Sequence, residues 1–201
     1  MILYKLTNEN DQTCAETQWG EGIEHTASGK GDLCGPGWLH AYTDRLLAVL
    51  LDPINARFGE TAHLWQAEGD VGKSDRGLQV GCTRLRTIRR IKKPVVSTVQ
   101  RVAFGILCAR EGCDDPSWRD WAEKWLDGRD RSINSAAEAW AAASAWAAVE
   151  AMRAGSAARA WAWAPARTAA EASAWAAVEA ARAEKSLDLR ALAIKAMEVK
   201  P

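Results

Sequence analysis

Apolar and polar positions along this chain recur with two different periods, and the change comes at Pro94. Before it the pattern is short and two-fold. Residues 2–7 (ILYKLT) alternate and are β-prone, and residues 23–27 (IEHTA) repeat the pattern between glycines at 20, 22, 29 and 31, so both are predicted strands. Residues 62–69 and 77–91 read as strands too, the second as one long strand or two. Between the second and third of these strands, residues 44–51 (DRLLAVLL) predict a short helix. Thr43 is its expected cap and Asp52-Pro53 its expected end, because a residue before proline is pushed out of the helical region.

After Pro94 the period lengthens to that of a helix. Val95, Val99, Val102, Ala103, Ile106 and Leu107 share one face, and Gly112 is a stop signal. In residues 114–128 Asp115 is a cap, Pro116 suits the first turn and Gly128 ends the helix. Trp118, Trp121 and Trp125 fall at i, i+3 and i+7 and form one aromatic stripe. Ser135-Ala-Ala-Glu138 and Thr168-Ala-Ala-Glu171 both match the capping box. Nearly the same string follows each, at 143–154 and 172–183, which is an internal repeat. A last helix is predicted over 186–199. The fold class expected is α+β: a small α+β domain over 1–93, then an all-α helical domain rich in Ala and Trp over 94–201.

Composition sharpens the second half. Between 133 and 184 every second residue on average is alanine, which favours helix but buries little area. The chain's eleven tryptophans can supply the missing area, at about 150–250 Å² each. A purely structural layer follows from this. The alternative is that Trp118, Trp121 and Trp125 face outward as binding residues, since aromatic side chains dominate interface hot spots.

Charge narrows the partners. The chain carries 26 basic and 26 acidic residues, balanced within each half, so it binds nothing by bulk electrostatics. The local exception is a basic run, Arg84, Arg86, Arg89, Arg90, Lys92 and Lys93, uninterrupted by any acid. As a strand it points Leu85 one way and Arg84 and Arg86 the other, giving a positive edge. Such an edge either stays solvated and discourages pairing, or contacts phosphates or an acidic protein patch. Direct nucleic-acid binding is not favoured. The N-terminus lacks the pattern of a signal peptide and no apolar run reaches membrane-spanning length, so a cytoplasmic chain with reduced thiols and no membrane partner is expected.

The densest stretch for chemistry is residues 33–44, LCGPGWLHAYTD. Cys34, His40 and Tyr42 are the residues an enzyme would use there. A metal site would join Cys34 and His40 with Cys14 or Cys82, but zinc sites present their ligands as close pairs and this chain has none, so no metal and no cofactor is expected. Residues 35–42 (GPGWLHAY) resemble the strand that lines the nicotinamide pocket in ADP-ribosyltransferase-like folds. That resemblance would add Tyr4 or Lys5 on a first strand and Glu60 or Glu68 on a later one, while a nucleophilic pair would join Cys34 to His63. The structural alternative makes Gly35-Pro36-Gly37 a tight turn, Trp38 and Leu39 the start of a strand, and His40 a hydrogen-bonded core residue.

Leu33, Cys34, Gly37, Trp38 and His40 form a signature, followed by Leu64, Trp65 and Gly69 and by Val80, Gly81, Cys82, Leu85, Thr87, Ile88 and Arg89. With these motifs the chain resembles a family of uncharacterised accessory proteins encoded in bacteriophages and prophages, and its Ala-rich tail resembles repeats in similar phage proteins and in immunity proteins. The resemblance implies a phage accessory protein. With no recognisable catalytic set, and with the basic strand and tryptophans as candidate contacts, the expectation is a non-enzymatic protein that binds and inhibits a host factor, most concretely a CRISPR surveillance complex or another anti-phage defence component. The alternative is a small enzyme of ADP-ribosyltransferase-like fold acting through residues 33–44. The partner implied is a host protein or ribonucleoprotein complex, and Ala-rich helices would also suit a homodimer. An immunity protein that binds a toxin is the further alternative.

Overall fold

The computed structural model describes residues 1–33, 35–55, 58–136, 172, 175–178 and 187–201. It contains helices and an antiparallel sheet, an α+β protein, and its chain divides into two compact units, Met1–Val95 and Val96–Pro201.

In the first unit the two-fold alternation becomes a curled sheet. Its strands, among the described residues, are β1 (Ile2–Thr7), β4 (Glu24–Thr26), β5 (Leu39–Ala41), β6 (His63–Ser74) and β7 (Val80–Ile91). A separate two-stranded hairpin joins β2 (Gln12–Thr13) to β3 (Thr17–Gln18). β1 pairs β6, β6 pairs β7, and the far edge of β7 takes β5 and then β4, all antiparallel. Tyr42, just past β5, closes back on β1, with Tyr4 N donating to Tyr42 O at 2.8 Å and Tyr42 N to Tyr4 O at 2.9 Å. The sheet thus curls into a small, nearly closed barrel. Three register shifts in the β6–β7 ladder supply the bending.

Leu3, Trp19, Ala41, Ala67, Val80, Cys82 and Leu85 fill the interior, with Leu39 against them. One helix, α1 (Arg45–Asn55), packs on β1 and buries Leu47 to Leu51. Its cap is Asp44 rather than Thr43, since Asp44 Oδ1 accepts from Leu46 N at 2.7 Å. It also runs past the expected end at Asp52-Pro53. The buried Asp52 carboxylate accepts from Phe58 N at 3.0 Å and Gly59 N at 2.9 Å, beyond the helix end.

The second unit contains α2 (Thr98–Gly112), α3 (Pro116–Leu126) and a C-terminal helix (Leu189–Met197). α2 begins three residues after Val95, which is 88% exposed and lies outside it. Its start is a capping box: Gln100 N donates to Ser97 Oγ at 3.2 Å and Ser97 N to Gln100 Oε1 at 3.0 Å. Gln100 Nε2 also reaches Met197 O at 2.9 Å, tying the end of the C-terminal helix to the start of α2. Asp115 caps α3 as expected, accepting from Trp118 N at 2.8 Å.

The tryptophan stripe departs from its binding role. Trp118, Trp121 and Trp125 are 0%, 6% and 0% exposed. They form the inward face of α3, where the helix packs on α2, and so supply core area rather than a partner surface. Ser135 is not a cap either. It sits inside a helical stretch over 133–136 whose first donors fold back on Ser132, with Ser135 N to Ser132 Oγ at 3.3 Å. Glu138, Thr168, Glu171 and the first repeat lie outside the described residues. Of the second repeat, residues 176–178 are buried and Trp175 is 38% exposed.

Candidate functional site

The basic run lies on β7, and register decides what its cations meet. Directly opposite residues of neighbouring strands share a face. Glu68 lies opposite Arg86, Asp70 opposite Arg84 and Gln66 opposite Arg89 on β6, while β4 places Glu24 opposite Arg86. Arg84 grips Asp70 with two bonds, Nε at 2.8 Å and Nη2 at 3.1 Å, and reaches Glu24 at 3.1 Å. Arg86 stands 3.9 Å from Glu68, and Arg89 Nε donates to Gln66 at 2.9 Å. The bonds from Arg84 hold the Asp70 carboxyl below its ordinary pKa, and Asp70 and Glu24 raise that of Arg84. Lys93 spends its ammonium on the carbonyls of Gly59 and Glu60, at 3.0 and 2.7 Å, and Lys92 is exposed. The expected positive edge is therefore a ladder of mixed charge on an open sheet face, and β7 is an inner strand over most of its length. No acid interrupts the run in sequence because the acids come from β4 and β6.

The stretch around His40 builds the barrel wall. Gly29 N donates to Gly37 O at 2.8 Å, and a Cβ on Gly37 would stand 2.0 Å from Lys30 O, so only glycine fits this crossing. Trp38 lies across Gly72 and Gly81, and its Nε1 donates to Gly31 O at 3.1 Å. His40 Nε2 hydrogen-bonds Leu33 O, and His40 O accepts from Lys5 Nζ at 2.7 Å. Tyr42 is buried in the bridge that closes the barrel. Both are positioned by and for the fold. Cys34 lies outside the described residues, and with it the pairing of Cys34 to His63. Among the described residues, no cluster of three His, Cys, Asp or Glu side chains could hold a metal ion.

No family model, curated protein or solved structure matches this chain. Its function must be read from its own geometry.

Two constellations escape the sequence pattern. At one end of the barrel Asp11, with φ of 58°, accepts from His63 Nδ1 at 2.8 Å, Trp65 Nε1 at 3.0 Å, Thr7 Oγ1 at 3.3 Å and Arg90 Nη2 at 2.5 Å. Burial alone would raise the pKa of Asp11. The bonds from His63 and Trp65 and the charge of Arg90 outweigh burial and keep it below the ordinary carboxylate value. All four donors are spent on one carboxylate, so the cluster ties the loop before β2 to the ends of β1, β6 and β7. These residues lie up to 79 positions apart, so no local stretch of the sequence contains the cluster.

The second constellation is Lys5, which points into the barrel 7% exposed, 4.9 Å from the Trp19 ring. Burial lowers its pKa to about 8, while burial raises that of Cys82 beside it to about 11. The amine is walled in by Trp19 and the backbone of His40. Of all the candidate groups, the ladder on β4, β6 and β7 is the set that combines charge with exposure.

Proposed function

We propose that this protein is a non-enzymatic binding protein that engages and disables a partner protein through the charged face of β4, β6 and β7. The observation that carries the reading is the ladder itself. Glu24, Glu68, Asp70, Arg84 and Arg86 are 38% to 60% exposed, lie on one sheet face and alternate in sign. A surface of that kind selects a partner of matching alternate charge, which another protein supplies and a uniform phosphate backbone does not. The phage-protein resemblance of the Leu33–His40 signature makes the partner a host factor met in the cytoplasm, most concretely a CRISPR surveillance complex or another anti-phage defence component. The same proposal takes the second half as an all-α scaffold, on the strength of its alanine content and capping pattern. No helix among the described residues is long and apolar enough to cross a membrane.

The test is affinity capture from nuclease-treated bacterial lysate with measured stoichiometry. A partner recovered near one-to-one by the wild type should be lost with Arg86→Glu plus Arg89→Glu and kept with folded His40→Ala. The reverse pattern would sink the binding reading and return attention to residues 33–44.

A further inference from the structure

The outer edge of β7 carries backbone partners for two thirds of its length and then loses them. β5 covers Val80 to Cys82, Ala27 N donates to Thr83 O at 2.8 Å, and β4 covers Arg84 to Arg86. The last bonds are Gly22 N to Thr87 O at 2.8 Å and Thr87 N to Ile23 O at 3.0 Å. There the covering chain turns away through Gly22, whose φ of 75° a side chain would strain. On its other side β7 stays paired with β6 as far as Ile91, opposite Leu64. Among the described residues, nothing covers the outer edge over 88–91, and Ile88, Arg89 and Arg90 are exposed. Every second residue of such an edge turns its N–H and C=O outward, the template on which another strand can form.

Two features decide what fits that template. The register shift at Ile88 and the cations around it are devices that deter edge pairing. The cations are of one sign, however. A second copy of this edge would bring Arg against Arg, which is unfavourable for directly opposed residues. A strand that sets a carboxylate opposite Arg89 meets a guanidinium bound, among the described residues, only through Nε to Gln66, and an acid further along it meets Lys92, exposed just past the end of β7. Ile88, 36% exposed, offers apolar contact beside them.

We infer that the open edge of β7 over 88–91 takes an extended acidic segment of a partner protein, added to the sheet as a further strand. The inference rests on the partner-binding reading and names its chemistry. Backbone bonds supply the affinity, and Arg89 and Lys92 supply the preference for acid.

The test is titration of the ¹⁵N-labelled full chain with three synthetic peptides: alternating Glu and Val, alternating Lys and Val, and the Glu–Val peptide N-methylated at every amide. The Glu–Val peptide should move the amide signals of 88–91 and slow their hydrogen exchange. The other two should leave them in place. Arg89→Glu with Lys92→Glu should weaken Glu–Val binding about tenfold, two exposed ion pairs having been lost. Equal response to the N-methylated peptide would reduce the contact to charge and overturn strand addition, as would shifts that map elsewhere on the chain. Capture of a partner that leaves the 88–91 amides unprotected would end this inference while the binding reading stood. Edge binding of the peptide without any captured partner would do the opposite.

Discussion

At the scale of single residues, the barrel depends on groups whose cost is visible in the geometry. Lys5 is protonated in the interior below pH 8 and ordinary in the unfolded chain, where it titrates near 10.5. Between those values the unfolded state binds more protons, so this group makes stability rise with pH. Cys82 acts with the opposite sign between its ordinary 9 and about 11, where the folded state keeps the proton that the unfolded state releases. Cys108 and Cys113, both raised by burial in the second unit, add to that fall. Stability should climb by about 1 kcal/mol from pH 8 to pH 9 and then level or decline. Urea unfolding at half-unit steps of pH would show it, and Lys5→Met should abolish the climb while keeping the decline. A climb that persists in Lys5→Met assigns it to another group. Gly37→Ala is a second residue-scale prediction. The clash is backbone against Cβ, with no flexible side chain to yield, so a loss of about 1–3 kcal/mol is expected in the same unfolding measurement.

At the scale of elements, local signals were legible and borrowed ones were not. β1, the start of β6, and β7 follow alternation written in their own residues. α3 follows its Asp115-Pro116 start and its tryptophan spacing. Residues 70–74 (DVGKS) carry no such alternation. They extend as β6 because β7 offers them a ladder across a turn with positive φ at Arg76 and Gly77. The apolar pattern placed Val95 inside a helix, yet Ser97 and Gln100, three positions apart in an S/T-x-x-Q match, are the start signal that prevails. The Asp11 cluster and the acids facing the basic run come from other strands, so no window of sequence contains them. Gln100 gives this scale its prediction. Ser97→Ala removes one cap bond and should cost about 1 kcal/mol. Gln100→Ala removes the reciprocal bond and the donor to Met197 O, and should cost more, about 1–2 kcal/mol. Equal losses in thermal unfolding would show that the bond to the C-terminal helix contributes nothing.

At the scale of the whole molecule, the question is what a chain of zero net charge does with six clustered cations. Arg84 and Arg86 face Asp70, Glu24 and Glu68, and Arg90 is held by Asp11. A polyanion would have to compete with carboxylates already in place and would meet their repulsion. A protein strand or patch can instead match acid to Arg89 and Lys92 and leave the ladder intact. Nucleic acid should therefore bind weakly or not at all. Fluorescence anisotropy with duplex and single-stranded oligonucleotides over a range of salt would measure this. The expected outcome is no saturable binding at physiological salt and no slope of log affinity against log salt at lower concentrations. A steep negative slope would show several phosphates neutralised at once. It would mean that the ladder opens on contact, and it would move the partner from a protein to a nucleic acid or to the RNA of a ribonucleoprotein. If that slope then fell by about one for each of Arg89→Ala and Lys92→Ala, the same residues would be placed on phosphate. Without a slope, selectivity must lie in the spacing of the partner's carboxylates, as strand addition along β7 requires.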